Sequence, residues 1–464
     1  MRTSPPRTAR PRPTGPDGSG ASAGTEAPAM SHHTRPRRPT RSARWRGVAV
    51  RASVILASMP MLAADRPLPD KARPDRPVQD GGPDLRVRLA HDAESATIGA
   101  GEGHRLTAST GRRSRTLRPP VRVTVERGRV RLVDAAGGSS DWPRGREVLI
   151  ASDRGGVVID EALYPGDAVI VPKGESAFDV IERVPIEEYL PGVLSKELYA
   201  GWRDATYEAQ AIAARSYALQ ERQRRRALGS AFDIESDTRD QAYGGSEAHA
   251  KARRAVAATR GVVLTYLDAP LRAYYSSTCG GRPASARDTW PIGQGFEFNL
   301  AGPIQATPRQ CPCGFSPRYR WTVTRDTETL AQRLAAFGAD RGSDLRQLRA
   351  LAAIEPARRN VAGRPAVYRV VDRDGRSWRL SAEDLRLALN FTGRGQGPPP
   401  TDARAWSGDV EVAVEGATVR IEGRGFGHGV GMCQFGAEGL ARQGRTAAGI
   451  LAHYYPGARL GPIR

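Results

Sequence analysis

The sequence is short of lysine and of every motif by which proteins read nucleic acids. Its 464 residues carry a formal net charge of +20, yet lysine occurs only as Lys71, Lys173, Lys196 and Lys251, so nearly all the positive charge is arginine. A basic chain suits any polyanion, including nucleic acid, anionic lipid and acidic wall polymers. Helix-turn-helix, zinc-finger and RNA-binding aromatic signatures are missing. We therefore expect no nucleic-acid partner.

Cysteine is also rare, and the four residues Cys279, Cys311, Cys313 and Cys433 all lie in the carboxy-terminal half. In an oxidising compartment an even count permits disulfides. Cys311 and Cys313 are too close in sequence to pair easily. The Cys-Pro-Cys pair offers two zinc ligands, but no nearby His or Cys completes a recognised spacing. Disulfides or buried thiols are therefore favoured over a metal site, and no cofactor is expected.

Large apolar side chains are scarce at the amino terminus. Residues 1–46 are dominated by Arg, Pro, Ser, Thr and Gly. Such a segment cannot bury enough apolar surface to offset the entropy lost on ordering. We predict a disordered basic leader over residues 1–46.

The apolar run Ala52–Ala64 follows a cluster of arginines. Its length is typical of a signal-peptide core and short for a bilayer span. Residues 47–65 are therefore predicted to direct export, either as a cleaved signal or as a membrane anchor through residues 48–64. An apolar patch within a disordered leader is the alternative.

Strand-like patterns begin after a proline-rich linker over residues 66–84. Between residues 85 and 183, short β-branched runs such as Val121–Val125 and Val169–Val171 alternate with Gly-rich turns. This spacing predicts a β-rich domain over residues 85–183.

Helical signals begin at residue 184. Pro185 with two following glutamates is typical of a helix start. Pro191-Gly192 is expected to end that helix and to begin a second short one that carries Glu197. Asp204 is expected to cap a longer helix that ends near Arg226.

The remaining chain mixes helix and strand. Gly261–Tyr266 and Ala273–Tyr275 are predicted to pair as strands, Thr327–Phe337 to form a helix, and Ala366–Val371 and Val410–Val414 to form strands. The fold class is therefore α+β, with a β-rich amino-terminal part, a helical segment over residues 184–319, and a mixed α/β carboxy-terminal part that ends in a Gly-rich motif.

Five distinctive strings occur in order within three segments of the chain: EYLPGVLSKE at 188–197, EAQAIAARSYA at 208–218, YYSSTCGG at 274–281, GRGFGHGVGMCQFGA at 423–437 and HYYPG at 453–457. Together these strings resemble the SpoIID/LytB family of stage II sporulation protein D and amidase-enhancer proteins. The resemblance spans residues 85–464. It implies that residues 184–319 form a catalytic core, that 423–464 complete it, and that 320–422 are a mixed α/β insertion.

The resemblance implies that Glu197 is the catalytic residue of a peptidoglycan lytic transglycosylase. One carboxyl group protonates the departing glycosidic oxygen and then, as a carboxylate, takes the proton of the sugar's own 6-hydroxyl group, which closes a 1,6-anhydro ring. Such a glutamate needs a raised pKa from partial burial. The structural alternative is a surface glutamate near a helix end.

The same motifs contain further candidate site residues. His428 lies among glycines that let backbone approach a ligand, although it could equally hold the loop by hydrogen bonds. Short polar side chains beside glycines suit a saccharide or, alternatively, loop capping; these are Ser276, Ser277, Thr278 and Gln434. Arg215 and Tyr217 are candidate substrate contacts, and a buried structural pair is the alternative.

The sequence also departs from some relatives. They carry Cys and His between the long helix and a Gln-x-Tyr motif, where zinc can bind. Here the stretch before Gln241-Ala242-Tyr243 has neither residue type, so no metal is expected there. Cys279 and Cys433 stand where other relatives have Ser. A Cys279–Cys433 disulfide across the cleft is the preferred pairing, with Cys279 to Cys311 or Cys313 as alternatives.

Two functions are consistent with the resemblance. The first is a lytic transglycosylase that cuts glycan strands between N-acetylmuramic acid and N-acetylglucosamine. The second is a non-catalytic wall-binding protein that enhances an N-acetylmuramoyl-L-alanine amidase, which would then be a partner. Both place the protein in the periplasm or cell envelope.

Overall fold

The computed structural model describes residues 82–463. The predicted leader, the predicted signal segment and most of the predicted linker lie outside the described residues. Within residues 82–463, no helix combines the length and the apolar character needed to cross a bilayer.

Strands dominate the first hundred described residues, as the alternating pattern predicts. In Val121–Glu126 the valines are buried while Arg122 and Glu126 are exposed, so one face enters the core and the other meets water. The strands of this part are β1 (Asp84–Ala93), β2 (Ser95–Gly99), β3 (Leu106–Thr110), β4 (Arg113–Leu117), β5 (Val121–Glu126), β6 (Arg129–Val133), β7 (Ser139–Asp141), β8 (Val148–Ser152), β9 (Val157–Ile159), β10 (Ala162–Tyr164), β11 (Asp167–Lys173) and β12 (Ala177–Pro185).

These strands form two sheets whose buried faces share one core. The hydrogen-bonded orders are β1-β12-β11-β8-β3-β4 and β10-β9-β2-β5-β6-β7. Val123 and Val130 of the second sheet lie in the same buried cluster as Ile150 and Phe178 of the first. The result is a two-layer β-sandwich.

A helical segment follows directly after β12. Its elements are α1 (Ile186–Glu197), α2 (Asp204–Ala227), β13 (Ile234–Glu235), α3 (Ala250–Ala258), β14 (Val262–Tyr266), β15 (Ala269–Pro270), β16 (Tyr275–Ser276) and α4 (Ala286–Thr289), with 3₁₀ turns at Glu297–Leu300 and Gly302–Ile304. β13 pairs in parallel with β1 and extends the larger sheet of the sandwich to seven strands. α1 therefore starts from the end of a strand that is fixed in the sandwich.

Residues 320–424 form a mixed part with its own buried cluster. The elements are β17 (Arg320–Asp326), α5 (Thr327–Asp340), β18 (Leu351–Arg359), β19 (Pro365–Asp372), β20 (Ser377–Ser381), α6 (Ala382–Leu389), β21 (Val410–Glu415) and β22 (Thr418–Arg424), with 3₁₀ turns at Asp344–Gln347 and Thr401–Ala403. The strands make two antiparallel sheets, β17-β22-β21 and β18-β19-β20. The helix and the two strands predicted here are confirmed, as is the α+β fold class.

The last segment returns to the helical part. It contains β23 (Met432–Cys433), α7 (Gln434–Arg442), α8 (Ala447–Tyr454) and β24 (Arg459–Pro462). β23 pairs in parallel with β16, and β24 pairs antiparallel with β14. Because Leu440 and Ile450 lie in the same buried cluster as Tyr207 of α2, the two ends of the predicted core share one interior.

The predicted pairing of Gly261–Tyr266 with Ala273–Tyr275 is wrong. A tight turn follows β14, with positive φ at Leu267 and Asp268, and it pairs β14 with β15 instead. One further backbone bond, from the Leu271 N–H to the Leu264 carbonyl oxygen (2.9 Å), continues this pairing beyond Pro270. Tyr275 and Ser276 pair with β23 instead.

The predicted helix break at Pro191-Gly192 is also wrong, since α1 runs through both residues to Glu197. Pro191 removes one N–H group from the helical ladder. The helix persists because one face is packed into the core, where Tyr189 and Val193 are fully buried, and packing of this kind outweighs local propensity. Glu197 therefore ends one continuous helix.

The bounds of α2 match the predicted helix, but its cap does not. Asp204 is the first helical residue, and Arg203 occupies the N-cap without a side-chain cap bond. The carboxylate of Glu438 on α7 takes the place of a local cap. It accepts from the Arg203 backbone N–H (2.9 Å) and from the Thr206 hydroxyl group (2.9 Å). The start of α2 is thus stabilised from the far end of the chain.

Candidate active site

The carboxyl group of Glu197, at the last residue of α1, is held by two neutral donors. The side-chain amide of Gln434 donates to Oε2 at 3.0 Å. The backbone N–H of Ala242 donates to Oε1 at 3.3 Å. Each carboxylate oxygen therefore has one partner, and the side chain is fixed in one orientation. The structure thus brings Gln434, a predicted site residue, to Glu197 itself.

Gln434 reaches Glu197 through the pairing of two short strands. Ser276 of β16 lies opposite Cys433 of β23 in the parallel register. Gln434 is the next residue and the first of α7. The backbone N–H of the residue after it, Phe435, donates to the Ser277 carbonyl oxygen (3.0 Å). Strand pairing therefore sets the position of an amide that is 237 residues from its partner in sequence.

The other donor, Ala242, is positioned by its buried neighbour Gln241. The Gln241 amide donates to the Ala214 carbonyl oxygen (3.2 Å) and to the Tyr275 hydroxyl oxygen (3.0 Å). The Tyr189 hydroxyl group donates to its Oε1 atom at 3.2 Å. Because Ala242 contributes a main-chain N–H, no side-chain pattern could have indicated its role.

Burial raises the pKa of the Glu197 carboxyl group above its ordinary value, and the hydrogen bonds from Gln434 and Ala242 offset part of the rise. Among the described residues, no charged side chain contributes to this shift. The carboxyl group also lies at the carboxy-terminal end of α1, where the helix dipole disfavours negative charge. These surroundings keep the group protonated to higher pH than a free glutamate, as a proton donor requires.

An aromatic cluster adjoins the Glu197–Gln434 pair. Trp202 packs on Tyr199 and Phe435, with ring centroids 5.2 and 5.0 Å apart, and Phe315 lies 5.4 Å from Phe435. Tyr199 is 59% exposed and Phe315 is 42% exposed. Exposed aromatic faces beside a carboxyl group offer apolar contact to a ligand. The sequence does not indicate this cluster, because its members come from three separate segments of the chain.

Arg215 is held in a buried ion pair within the protein. It is fully buried and makes a bidentate ion pair with Glu187 of α1, at 2.9 and 2.7 Å. Its guanidinium group also donates to the Val262 carbonyl oxygen (3.0 Å). Its donors are directed into the protein, so the buried-pair alternative describes it better than substrate binding.

Tyr217 belongs to a second buried polar network. Its hydroxyl group donates to Asp240 (2.8 Å) and accepts from Arg272 (3.0 Å), and Arg272 in turn pairs with Glu221. Only 5% of Tyr217 is exposed. This residue therefore stabilises α2 against the loop that precedes β16.

The short polar residues at the end of β16 and directly after it mostly hold loops together. The Ser276 hydroxyl oxygen accepts from the backbone N–H of Gly429 (3.2 Å). Thr278 is fully buried, with its hydroxyl group 2.7 Å from that of Ser316. Ser277 is partly exposed and lies beside Thr278, with 3.4 Å between the hydroxyl oxygens. Of the three, Ser277 alone has a side chain that reaches the surface.

His428 also serves its own loop. Its Nδ1 atom accepts from the Val430 backbone N–H (3.0 Å), and its ring packs edge-on against Trp290 at 4.9 Å. Burial lowers its pKa to about 4, with the charge of Glu383 acting in the opposite direction. The imidazole is therefore neutral at pH 7. Within residues 82–463 no hydrogen bond joins His428 to Glu197.

The four cysteines converge on one place, although the predicted Cys279–Cys433 disulfide is not formed in this structure. All four are free thiols, and their sulfur atoms lie within 4.8 Å of one another. The backbone N–H of Cys279 donates to the sulfur of Cys433 at 3.3 Å. The sequence showed four separate residues, whereas the fold makes one cluster.

Two separate regions of the chain match models of known protein families. Residues 174–266, which include Glu197, match the model described as stage II sporulation protein (SpoIID). Residues 313–431 match a domain of unknown function, DUF8618. The second match corresponds closely to the mixed α/β part.

Curated proteins from bacilli are similar over a longer stretch. Stage II sporulation protein D of Bacillus subtilis is 26% identical over 306 residues, which are 63% of this chain and 79% of that protein. The protein of the same name from Bacillus amyloliquefaciens is 27% identical over 62% of this chain and 78% of its own length. The amidase enhancer of Bacillus subtilis is 25% identical over 58% of this chain, but only 40% of that longer protein is matched.

Proposed function

We propose that this chain, which carries a domain of the SpoIID/LytB family, is a peptidoglycan lytic transglycosylase with Glu197 as its single acid and base. The similarity to sporulation and amidase-enhancer proteins supports a role connected with the cell wall. Glycan strands would be the substrate, and no nucleic acid is involved. The proposal also includes export to the cell envelope, where that substrate is found.

The chemistry needs one carboxyl group in two successive states. Protonated Glu197 gives its proton to the glycosidic oxygen as the bond from that oxygen to the anomeric carbon breaks. The resulting carboxylate then takes the proton of the 6-hydroxyl group while that oxygen bonds to the anomeric carbon. No water is consumed, and the group ends protonated and ready for the next cycle.

The main support for this proposal is the environment of the Glu197 carboxyl group. Burial raises its pKa, so that the acid form persists, while Gln434 and Ala242 can both donate to the carboxylate that forms in the first half of the cycle. A glycosidase with two carboxylates would place a second acid nearby. Among the described residues no such charge acts on Glu197, which favours the one-carboxylate route.

The test is mass spectrometry of products formed from purified glycan strands, both with and without stem peptides. We expect the wild type to release fragments with anhydro ends, each lighter by one water than a hydrolysis product. Glu197→Gln should lose at least about 10³-fold in rate, because removal of a group that acts as both acid and base affects both half-steps. The folded state of the variant is checked by circular dichroism.

Glu188→Gln is the matched control, since Glu188 is an exposed glutamate of the same helix. It should keep the wild-type rate. Equal activity in wild type and Glu197→Gln would show that another group or a contaminant cuts the strands, and the proposal would then be wrong.

A non-catalytic amidase enhancer is the second candidate, and the match to the protein of that name is what favours it. The partner would then be a cell-wall amidase. Intact glycan strands in every reaction, together with stimulation of an added N-acetylmuramoyl-L-alanine amidase by both wild type and Glu197→Gln, would support this function over the first.

A further inference from the structure

The chain contains four cysteines, and all of them meet at one buried point of the fold. They come from three segments that are distant in sequence. Cys279 follows β16, Cys311 and Cys313 lie in the loop before β17, and Cys433 ends β23 at the start of α7. Cys279, Cys313 and Cys433 are buried, and Cys311 is partly exposed.

The separations match a tetrahedral metal site. A zinc ion bound to four thiolates at about 2.3 Å has its sulfur atoms about 3.8 Å apart. The Cys279 and Cys313 sulfurs are 3.8 Å apart, and none of the four is farther than 4.8 Å from another. Two disulfides would require two pairs at about 2.05 Å with no need for a common centre.

The surroundings of Cys433 suit a thiolate ligand. Two backbone N–H groups, from Cys279 and from Gly436, donate to its sulfur, each at 3.3 Å. The sulfur also caps the amino-terminal end of α7, where the helix dipole favours negative charge. Donors directed at a ligand sulfur are what the outer shell of a metal site provides.

Two glycines of α7 make room for the Cys311-Pro312-Cys313 loop. A Cβ atom on Gly436 would collide with the Cys311 sulfur and the Tyr454 hydroxyl group. A Cβ atom on Gly439 would collide with the Pro312 carbonyl oxygen. The loop therefore approaches the helix more closely than any larger residue would allow.

From this geometry we propose that Cys279, Cys311, Cys313 and Cys433 bind one zinc ion in a closed tetrahedral site. Four sulfur ligands leave no position for water or substrate, so the ion is structural. It joins the strand end after β16, the loop before β17 and the start of α7. Since Gln434 directly follows Cys433, the ion also fixes the segment that holds Glu197.

This site differs in position from the zinc site of some relatives. The zinc ligands of some relatives lie between the long helix and the Gln-x-Tyr motif, where this chain has neither Cys nor His. The ligand spacing here, with 34 residues from Cys279 to Cys313 and 154 from Cys279 to Cys433, follows no short motif. Only the fold brings the four sulfurs together.

The first experiment measures zinc content and thiol state of the full chain, purified without added metal. We expect about one zinc per chain, bound in a native mass spectrum, and four free thiols after denaturation. A chain without zinc, whose denatured mass is reduced by the hydrogens lost in one or two disulfides, would overturn the proposal.

Variants then identify the ligands. Cys279→Ser and Cys313→Ser should each reduce bound zinc from about one per chain to nearly none after dialysis against a chelator. His91→Gln, which removes a surface imidazole beside Asp92, should keep it all. Zinc that is retained in both cysteine variants would show adventitious binding elsewhere and would contradict the site.

Cobalt substitution tests the same site in the wild-type protein, so its outcome does not depend on whether the cysteine variants fold. Cobalt(II) added to wild-type protein freed of zinc should give the intense visible bands and sulfur charge-transfer absorption of tetrahedral thiolate coordination. Weak bands typical of octahedral oxygen or nitrogen ligands would refute the assignment. None of these three measurements depends on transglycosylase activity. Failure of the proposed function would therefore leave the evidence for the zinc site unaffected.

Discussion

The side-chain amide of Gln434 has two effects on Glu197. It fixes the carboxyl group, and as a donor it stabilises the carboxylate, which lowers the pKa that burial has raised. These effects can be separated by a variant that keeps the volume of the side chain but has no N–H group.

We predict that Gln434→Met shifts the pH dependence of activity toward alkaline pH. In the proposed mechanism the first step needs protonated Glu197, so activity should fall as pH rises through its pKa. Without the amide the pKa rises further, and the falling limb of the kcat/KM profile should move to higher pH. Lost positioning should also reduce the rate at the optimum by about 10–100-fold.

Ser277→Ala provides the comparison for this variant, because Ser277 is partly exposed near the site but does not contact Glu197. Its profile should keep the wild-type limb. A limb in Gln434→Met that stays in place or moves to lower pH would show that the amide does not act on the proton donor.

Among single residues, Glu197 and Gln434 were both named within the motifs of the family resemblance, and the fold brings their side chains within hydrogen-bond distance. Their roles in a reaction stay predictions. Arg215 and Tyr217 were named beside them, yet each is buried in an ion-pair or hydrogen-bond network. The direction in which a side chain points on an alanine-rich helix depends on the partners packed around it, and these lie elsewhere in the sequence.

Among the elements, α7 can pack closely against its neighbours because it contains two glycines. Gly436 and Gly439 lie one turn apart and face the Cys311-Pro312-Cys313 loop, where added methyl groups would meet sulfur, hydroxyl and carbonyl atoms. Helix propensity alone would favour alanine at both positions.

We therefore predict that Gly436→Ala lowers the free energy of unfolding by about 1–3 kcal/mol, the usual cost of overpacking. Gly449→Ala on α8 is the matched control. Its added Cβ atom would lie 3.5 Å from the nearest atom, an ordinary contact. The control should leave stability unchanged or raise it by up to about 1 kcal/mol. Denaturant unfolding of both variants measures the difference, and equal stability would contradict the close packing.

Elements were predicted well where their pattern is local and poorly where packing intervenes. β5 forms as predicted, with buried valines alternating with polar residues, and α2 forms over the predicted span. Pro191 indicated a break that the buried face of α1 overrides. The partner of β14 depended on a turn at Leu267-Asp268 that has neither glycine nor asparagine to mark it.

At the scale of the whole molecule, Glu182 connects pH to stability. It is fully buried on β12, the strand that leads from the sandwich into α1, and one of its oxygens accepts from the Gly166 backbone N–H (2.8 Å). Burial raises its pKa from 4.5 to about 7, partly offset by that hydrogen bond.

We predict that the free energy of unfolding falls as pH rises from about 4.5 to about 7. Over this range the unfolded chain releases the Glu182 proton more readily than the folded protein does, and the loss can reach about 3 kcal/mol. Glu182→Gln should remove this decline and should be the more stable protein at pH 8. Denaturant unfolding between pH 4.5 and 8 measures it.

Exposed Glu175, in the turn between β11 and β12, supplies the control. Glu175→Gln should show the wild-type decline with pH. If Glu182→Gln declined in the same way, the dependence would belong to other groups.

At this scale, the sequence could not show which distant segments of the chain come into contact. The α+β class, the β-rich start and the family resemblance all came from local strings. The cysteine cluster, by contrast, depends on β16 pairing with β23 across more than 150 residues, since Ser276 must lie opposite Cys433. No spacing rule for metal ligands covers such a separation.

The separation of Glu197 and Gln434 in the sequence also determines how long after Glu197 the ribosome adds Gln434. Protein synthesis proceeds at about 5–20 residues per second, so the 237 residues between them take about 10–50 s to translate. Throughout that interval a nascent chain has its proton donor but not the amide that orients it. Under the proposed function, the order of translation would therefore delay full activity until Gln434 has been synthesised.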